Sequence, residues 1–566
     1  MVSSRLDVVS LCAGFVLLGG CFSPDRPSGA TATDGTDDGS SSGPGSTETT
    51  PGTSTVGTDT SGPSTTDPTS GTNPTGDTDP TGDPDTTPPA IDAFDVSPTV
   101  VDEARFVQLS ATVTDDVAVD RVEFFQGDEL IATASEEPYE VQWKIKTEEQ
   151  DGDYQVRCVA YDTSENSAES MNLAVGIDLP ARGTLVWHDV VDASSGFFES
   201  GRAIAPTETG GALVAGSKDI RDLGLSVNTP DIWLREYSSG GTESWTVTNN
   251  AAGLAHDGAE AIAVDPMGFI IVAGWTRPGD NLGTPTGTRN VRVIKYAPGG
   301  QSIDWDREYG EAAVGWAAFG VGTDDAGRVY VGGVANDDVW VARLAEDDGA
   351  IEFEDTFTSV DGPSRVNALA ADGDGNFVVA GEAAGDVWIR RYNADESIDW
   401  TETVDGPDQA GDRGLGVAIG PDGDVGVIGQ FSGVPFDLSL WFARYDVDGN
   451  LLWSQTRNPG ADEGEGRAIA FDAEGEVVVT GMVEETHNGL DIWIARYSAD
   501  GQTVLWETTY NGSTVTNGSD DYGHGIAVDE VGYVYVTGST HQYNMPAEPG
   551  WDSDWNSAIW TRKFTP

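Results

Sequence analysis

Gly466-Arg467-Ala468-Ile469-Ala470-Phe471-Asp472-Ala473-Glu474-Gly475, then Val477-Val478-Val479-Thr480-Gly481, then Asp491-Ile492-Trp493-Ile494-Ala495-Arg496-Tyr497 and Leu505-Trp506-Glu507, forms one unit of four short segments. The first alternates small residues with larger apolar ones, the period of a strand. Asp472 to Gly475 supplies a turn in which Gly takes the positive φ that a hairpin needs. The second segment is apolar throughout, and the third and fourth each carry a Trp. The unit reads as a four-stranded sheet.

The small-apolar-small signature recurs at Ala203-Ile204-Ala205, Ala261-Ile262-Ala263, Gly320-Val321-Gly322, Ala368-Leu369-Ala370, Gly416-Val417-Ala418 and Gly525-Ile526-Ala527, so the unit is written seven times. A repeat of this length with four strands apiece has the period of a β-propeller, and seven first strands predict seven blades. Small residues on one face let neighbouring sheets approach near the axis, while Ile, Val or Leu fills the other face. The third strand repeats around Trp233, Trp340, Trp388, Trp441, Trp493 and Trp560, with Arg292 in the aromatic's place in the second copy. The fourth carries Trp187, Trp245, Trp305, Phe353, Trp400, Trp453 and Trp506. A Trp ladder at this spacing is packing between stacked sheets rather than a cofactor box.

The last copy reaches only its third strand, Trp560-Thr561-Arg562-Lys563-Phe564, whereas Leu185-Val186-Trp187-His188-Asp189 matches Val504-Leu505-Trp506-Glu507-Thr508 and precedes the first copy. The early strand is therefore expected to pair with the last blade, closing the circle by N- and C-terminal strand exchange and removing exposed edges. Over residues 181–566 the chain resembles the seven-bladed propeller repeats of SBBP type found in exported bacterial proteins. That resemblance implies a fold and no fixed catalytic set.

Three further regions precede the repeats. Arg5 leads an apolar stretch from Val8 to Leu18, too short to span a membrane but suited to a signal-peptide core. Leu18-Gly19-Gly20-Cys21 resembles the bacterial lipobox, which implies cleavage after residue 20, lipidation of Cys21 and a lipoprotein of the cell envelope. Phe22 stands where inner-membrane lipoproteins commonly carry Asp, so the expected membrane is the outer one. Residues 21–87 are Thr, Ser, Gly, Pro and Asp with almost no apolar side chain, a linker that cannot bury enough surface to offset its ordering entropy. With Cys12 removed and Cys21 lipidated, Cys158 has no disulfide partner, and its alternating strand makes it a buried structural thiol.

Residues 88–180 alternate in short strands, as in Phe106-Val107-Gln108-Leu109-Ser110-Ala111-Thr112-Val113 and Tyr154 to Tyr161, and predict a small β-sandwich. The run Thr114 to Phe124, Pro138-Tyr139 before Trp143, and Asp162 to Asn166 resemble bacterial Ig-like domains, which implies a spacer or adhesive module. Asp115, Asp116, Asp162 and Asn166 are oxygen ligands that a loop end could gather round Ca²⁺; the competing role is capping of Asx turns. The same choice holds for the acids before several first strands: Asp257, Asp412, Asp462, Glu463, Asp520 and Asp521.

A formal charge of −66 from 95 acidic and 29 basic residues excludes nucleic acid as a partner, because phosphate would be repelled. Five dispersed His and the absence of His-Glu-x-x-His or Gly-x-Ser-x-Gly leave no catalytic set. No cofactor is expected, with Ca²⁺ the one candidate.

One position breaks the repeat's rule. The residue before each small-apolar-small signature is Arg202, Glu260, Phe319, Asn367, Leu415, Arg467 or His524, while its neighbours barely change. These side chains should ring one mouth of the channel, either as ligand contacts or as drift at an unconstrained position. The long loop after the last copy's second strand adds Tyr543, Trp551 and Trp555 on the same face. The expected function is that of a monomeric, lipid-anchored binding or scaffold protein presenting a propeller face to a protein or glycan. The alternative is an exported propeller enzyme of quinone-dependent dehydrogenase or polysaccharide lyase type.

Overall fold

The computed structural model describes residues 85–191, 199–219, 229–251, 255–279, 285–311, 315–357, 364–407, 411–433, 438–457, 463–484, 489–512, 520–541 and 557–566. Cys21, Tyr543, Trp551, Trp555 and Asp462 lie outside the described residues. The described chain is all-β, with a single 3-10 turn at Glu148–Gln150.

Residues 90–177 form two sheets. One runs Ala90–Ser97, Arg105–Thr114, Tyr139–Ile145; the other runs Val100–Val101, Leu173–Ile177, Gly152–Asp162, Val119–Gln126, Glu129–Ala134, with Ser167–Glu169 beside Gly152–Asp162. They share a core in which Val107, Leu109 and Trp143 of the first meet Val122, Phe124 and Cys158 of the second. The strand period of two produces this directly, since alternate residues face inward. Cys158 is completely buried, and burial raises its thiol's pKa.

Seven four-stranded antiparallel sheets follow. Their first strands are Ser200–Pro206, His256–Val264, Trp316–Thr323, Ser364–Ala371, Arg413–Ile419, Gly464–Phe471 and Tyr522–Val528, and we number the sheets one to seven in that order. Each first strand lies against the first strand of the next sheet, and that of sheet seven lies against that of sheet one. The outermost strand of sheet seven comes from far upstream. Leu185–Val191 pairs with Ser557–Phe564, with His188 opposite Arg562 and Val190 opposite Trp560.

Two recurrent contacts stitch neighbouring sheets. Fourth-strand Trp side chains reach the third-to-fourth-strand turn of the following sheet. The indole of Trp453 donates 3.1 Å to the Ala499 carbonyl and stacks on Gly501, where an added Cβ would sit 2.6 Å from the ring; Gly501 also holds φ +68°, so no other residue fits as well. Trp187, Trp305 and Trp400 donate in the same way to Ser239, Glu346 and Val447. The second contact is cationic and comes from the third strand. Arg391 donates to Gly423 at 2.6 Å, Arg444 to Gly475 at 2.9 Å, Arg496 to Gly532 at 2.8 Å and Lys563 to Gly210 at 2.8 Å, each carbonyl lying in the first turn of the next sheet. Arg444 and Arg496 are held in turn by Asp424 and Asp472, so each cation is buried with a carboxylate partner.

The third-strand Trp residues are the core of each sheet stack: Trp233, Trp340, Trp388, Trp493 and Trp560 are among the largest fully buried side chains. In sheet two Arg292 takes their place at 3% exposure, held by Asp306 at 2.7 Å, Asp257 at 3.4 Å and Asn249 at 2.7 Å.

The N-terminal unit sits at the far ends of the first strands. Lys146 reaches Asp472, Glu474 and Glu476, which form the turn after Gly464–Phe471, and Ala104 packs into the cluster containing Tyr533 and Tyr535.

Candidate functional site

Each of the seven first strands contains one β-bulge, at one repeated place. In sheet one Gly201 pairs with Gly216 and Ala203 with Ala215, which leaves Arg202 as the extra residue. The same step leaves Glu260, Phe319, Asn367, Leu415, Arg467 and His524 unpaired in the other six. This is the physical reason why the position varies while its neighbours do not. A bulged residue is released from the ladder and its side chain is re-aimed.

All seven are half-buried and line one cavity of about 1240 Å³, together with the small residues Ala203, Ala261, Gly320, Ala368, Gly416, Ala468 and Gly525 that follow them. The bulged residues lie towards the end of the first strands remote from the turn that Lys146 reaches. Arg467 and Asp472 are separated by five residues of strand, roughly 16 Å.

The charges round the mouth are paired. Arg202 Nε lies 3.7 Å from Glu260, whose other oxygen accepts from the Trp275 indole at 3.0 Å. Arg289 stacks over that indole at 4.1 Å, and Phe319 packs beside it. Asn367 donates to the Gly414 carbonyl at 2.8 Å, bridging two first strands. Arg467 Nε lies 2.6 Å from Glu465, and its Nη1 is 3.2 Å from His524 Nδ1. A guanidinium has no acceptor, so Nδ1 must accept, which places the His524 proton on Nε2, 3.2 Å from Ser539 Oγ. The mouth is therefore a ring of matched donors and acceptors rather than the excess of positive charge that Arg202 and Arg467 alone suggest.

A second tier was not picked out in the sequence. Two residues before each bulge stand Ser200, Gly258, Ala317, Arg365, Arg413, Glu465 and Tyr522. Arg413, Glu465 and Tyr522 line the cavity, with Gln430 and Ser432 beside them; Tyr522 stacks on His524 with the ring planes 13° apart. At this level sheets five to seven contribute large polar side chains to the wall, whereas Arg365 of sheet four is fully buried behind it, so the wall is lopsided. The period of two from the bulge is the signal that would have found them.

The acids weighed as Ca²⁺ ligands separate into two groups. Asp162 accepts from the amides of Ser164 and Asn166 and from the Asn166 side chain, each at 2.8 Å, which is turn capping; Asp115 and Asp116 lie instead with Asp85. Asp257 and Asp521 accept from the amides of Ala251 and Gly512. Asp412 accepts from Gly406 at 2.5 Å and Ser432 at 2.9 Å, and clusters with Asp386 and Asp405. Burial, with the neighbouring carboxylates adding to it, raises the pKa of both Asp412 and Asp386.

Two family models match parts of the chain: a bacterial Ig domain over residues 96–157 and a beta-propeller repeat over residues 508–544. No curated protein matches it. Among solved structures it is similar to a protein of unknown function from Bacteroides thetaiotaomicron, at 15% identity over 70% of this chain and 95% of that one, with a TM-score of 0.34. A quinonprotein alcohol dehydrogenase-like protein from the same organism shows 10% identity over 74% and 96%, with a TM-score of 0.34. The Dos1 propeller shows 9% identity over 67% and 95%, with a TM-score of 0.36.

Proposed function

We propose that this chain is a lipid-anchored binding protein of the bacterial cell envelope, in which an Ig-like sandwich carries a closed seven-bladed propeller whose cavity takes a protein segment or glycan. The observation that carries the reading is the ring of seven bulged residues. Their chemistry differs from sheet to sheet against a nearly constant frame, and they all face one cavity. The bulge frees this position from the packing rule that repeats Trp in the third strands, so its seven side chains are available for ligand contact. A site built for an asymmetric ligand needs different groups at each step round the ring.

The arrangement of the units supports the same reading. The Ig-like unit lies at the turn ends of the first strands, away from the bulged residues, which supports a reading in which the ring of bulged residues faces away from an anchor on the N-terminal side. Capture of glycans and proteins by the full chain tests this proposal. Leu415→Trp would push an indole into the ring of bulged residues without adding charge, and ligand capture should weaken while the melting temperature holds. Capture that is indifferent to Leu415→Trp would place binding elsewhere.

A further inference from the structure

The charged side chains that line the cavity cancel. Arg202, Arg413 and Arg467 stand against Glu260, Glu463 and Glu465, three of each sign among the described residues. The cations are engaged locally: Arg202 with Glu260, Arg467 with Glu465, and Arg413 with Glu382 at 2.8 Å, a carboxylate that also lies 3.6 Å from the buried Arg365. An ion entering the cavity would find no net charge to attract it, and it would have to displace one partner of a pair and strand the other.

One polar group on the wall is left over. Gln430, opposite Arg413 in the strand pair, lines the cavity at 4% exposure. Ser432 Oγ gives its proton to the Gly411 carbonyl, so towards Gln430 it can only accept, 3.4 Å from Nε2. That assignment leaves Gln430 Oε1 as a buried acceptor with no partner among the described residues. Such an acceptor is costly unless a donor answers it. The wall thus requires a donor at Gln430, and a group that both donates and accepts wherever it meets an Arg–carboxylate pair. A hydroxyl does both from one atom, whereas an amide splits the two between nitrogen and oxygen. Phe319 and Leu415 interrupt the polar ring with apolar surface.

Building on the proposal that the cavity is the binding site, we infer that its ligand is an uncharged saccharide. One hydroxyl donates to Gln430 Oε1, others bridge Arg467 and Glu465 by accepting from the guanidinium and donating to the carboxylate, and the C–H face of a sugar ring rests on Phe319 or Leu415. Charge on the sugar is selected against, because either sign would confront a like charge at every pair.

An array of neutral oligosaccharides of glucose, galactose and mannose, printed beside their uronic-acid and amino-sugar counterparts and probed with the full chain, tests this inference. Signal should fall on neutral members, with the charged counterparts of each bound sugar weaker by about tenfold, and it should hold as salt rises. Gln430→Met removes the acceptor and keeps the length of the side chain. It should weaken saccharide binding by about tenfold while the melting temperature holds or rises, since an unanswered buried acceptor does not stabilise the fold. No saccharide bound, a charged counterpart preferred, or binding unchanged in Gln430→Met overturns the inference. A lower melting temperature in Gln430→Met would show that Oε1 is already answered within the protein, and overturns it too. If capture of a protein is then still weakened by Leu415→Trp, the cavity remains the binding site and only the saccharide assignment fails.

Discussion

Lys146 Nζ lies 2.5 Å from Asp472 Oδ2, and this contact joins the Ig-like unit to the first turn of sheet six. Asp472 is simultaneously the partner of Arg496, the cation that clasps sheet six to sheet seven. One carboxylate therefore fastens both the unit interface and a sheet interface. Lys146→Ala leaves Asp472 buried with Arg496 alone, a loss of about 2 to 3 kcal/mol, below the usual cost of stranding a buried charge because one partner remains. Chemical denaturation should register that loss, and limited proteolysis should begin to cut between residues 177 and 185.

Acid should attack the same contact. Burial pushes the Asp472 carboxyl up, but the pull of Arg496 and Lys146 outweighs it and holds the pKa at about 2. A pKa depressed below its unfolded value contributes stability that is complete above about pH 4 and is lost as pH falls towards 2, on the order of 2 kcal/mol. Denaturant midpoints of wild type and Asp472→Asn, measured from pH 7 to pH 2, should converge at the acid end. A gap that is constant with pH would show that the carboxylate's charge is not what matters.

The repeat made the sheets legible because strand period, turn glycine and Trp position are all local properties of sequence. Asp472-Ala473-Glu474-Gly475 announces its own hairpin. The bulge was legible only as variability at Arg202, Glu260 and their counterparts, since an unpaired residue leaves no period of its own. Arg365, Arg413 and the unit interface were not legible at all. Their roles depend on which strands lie side by side, as when Lys146 meets Asp472 across 326 residues. The same limit hid the pairing of Arg202 with Glu260, which balances charge within the ring.

Trp187 tests the strand that comes from far upstream. It is 8% exposed, stacks on Tyr237 with ring centroids 5.4 Å apart, and donates to Ser239 in sheet one. It therefore links sheet seven, to which its strand belongs, with the first repeat. Trp187→Ala should cost about 3 to 5 kcal/mol, the range for a large aromatic lost from a core. A chain beginning at residue 200 should melt well below one beginning at residue 180, because the edge of Ser557–Phe564 would lie open. Equal melting temperatures would mean that the early strand does not stabilise the ring.

The anchor is tested by Cys21→Ser, which removes the proposed acyl acceptor. The variant should leave the detergent-requiring membrane fraction and become soluble without change in the melting of the folded units. Retention in the membrane would remove the lipoprotein reading while leaving the cavity untouched.

Arg292 separates a repeat-based expectation from a structural one. At five of the seven equivalent positions a fully buried Trp fills the space, so the repeat alone recommends Arg292→Trp as a stabilising change. The structure argues the reverse. Asp257 is fully buried and Asp306 binds the guanidinium through both oxygens, at 3.1 Å to Nε and 2.7 Å to Nη2. An indole offers one donor where the guanidinium offers five, so Asp257 would lose its counter-charge inside the protein. Arg292→Trp should destabilise by about 3 to 5 kcal/mol, the range for breaking a buried pair. Adding Asp257→Asn should recover part of it, because the stranded group is then neutral. A stable Arg292→Trp single variant, measured by urea denaturation at neutral pH, would show that water or relaxation answers Asp257 and that sheet two tolerates the common side chain after all.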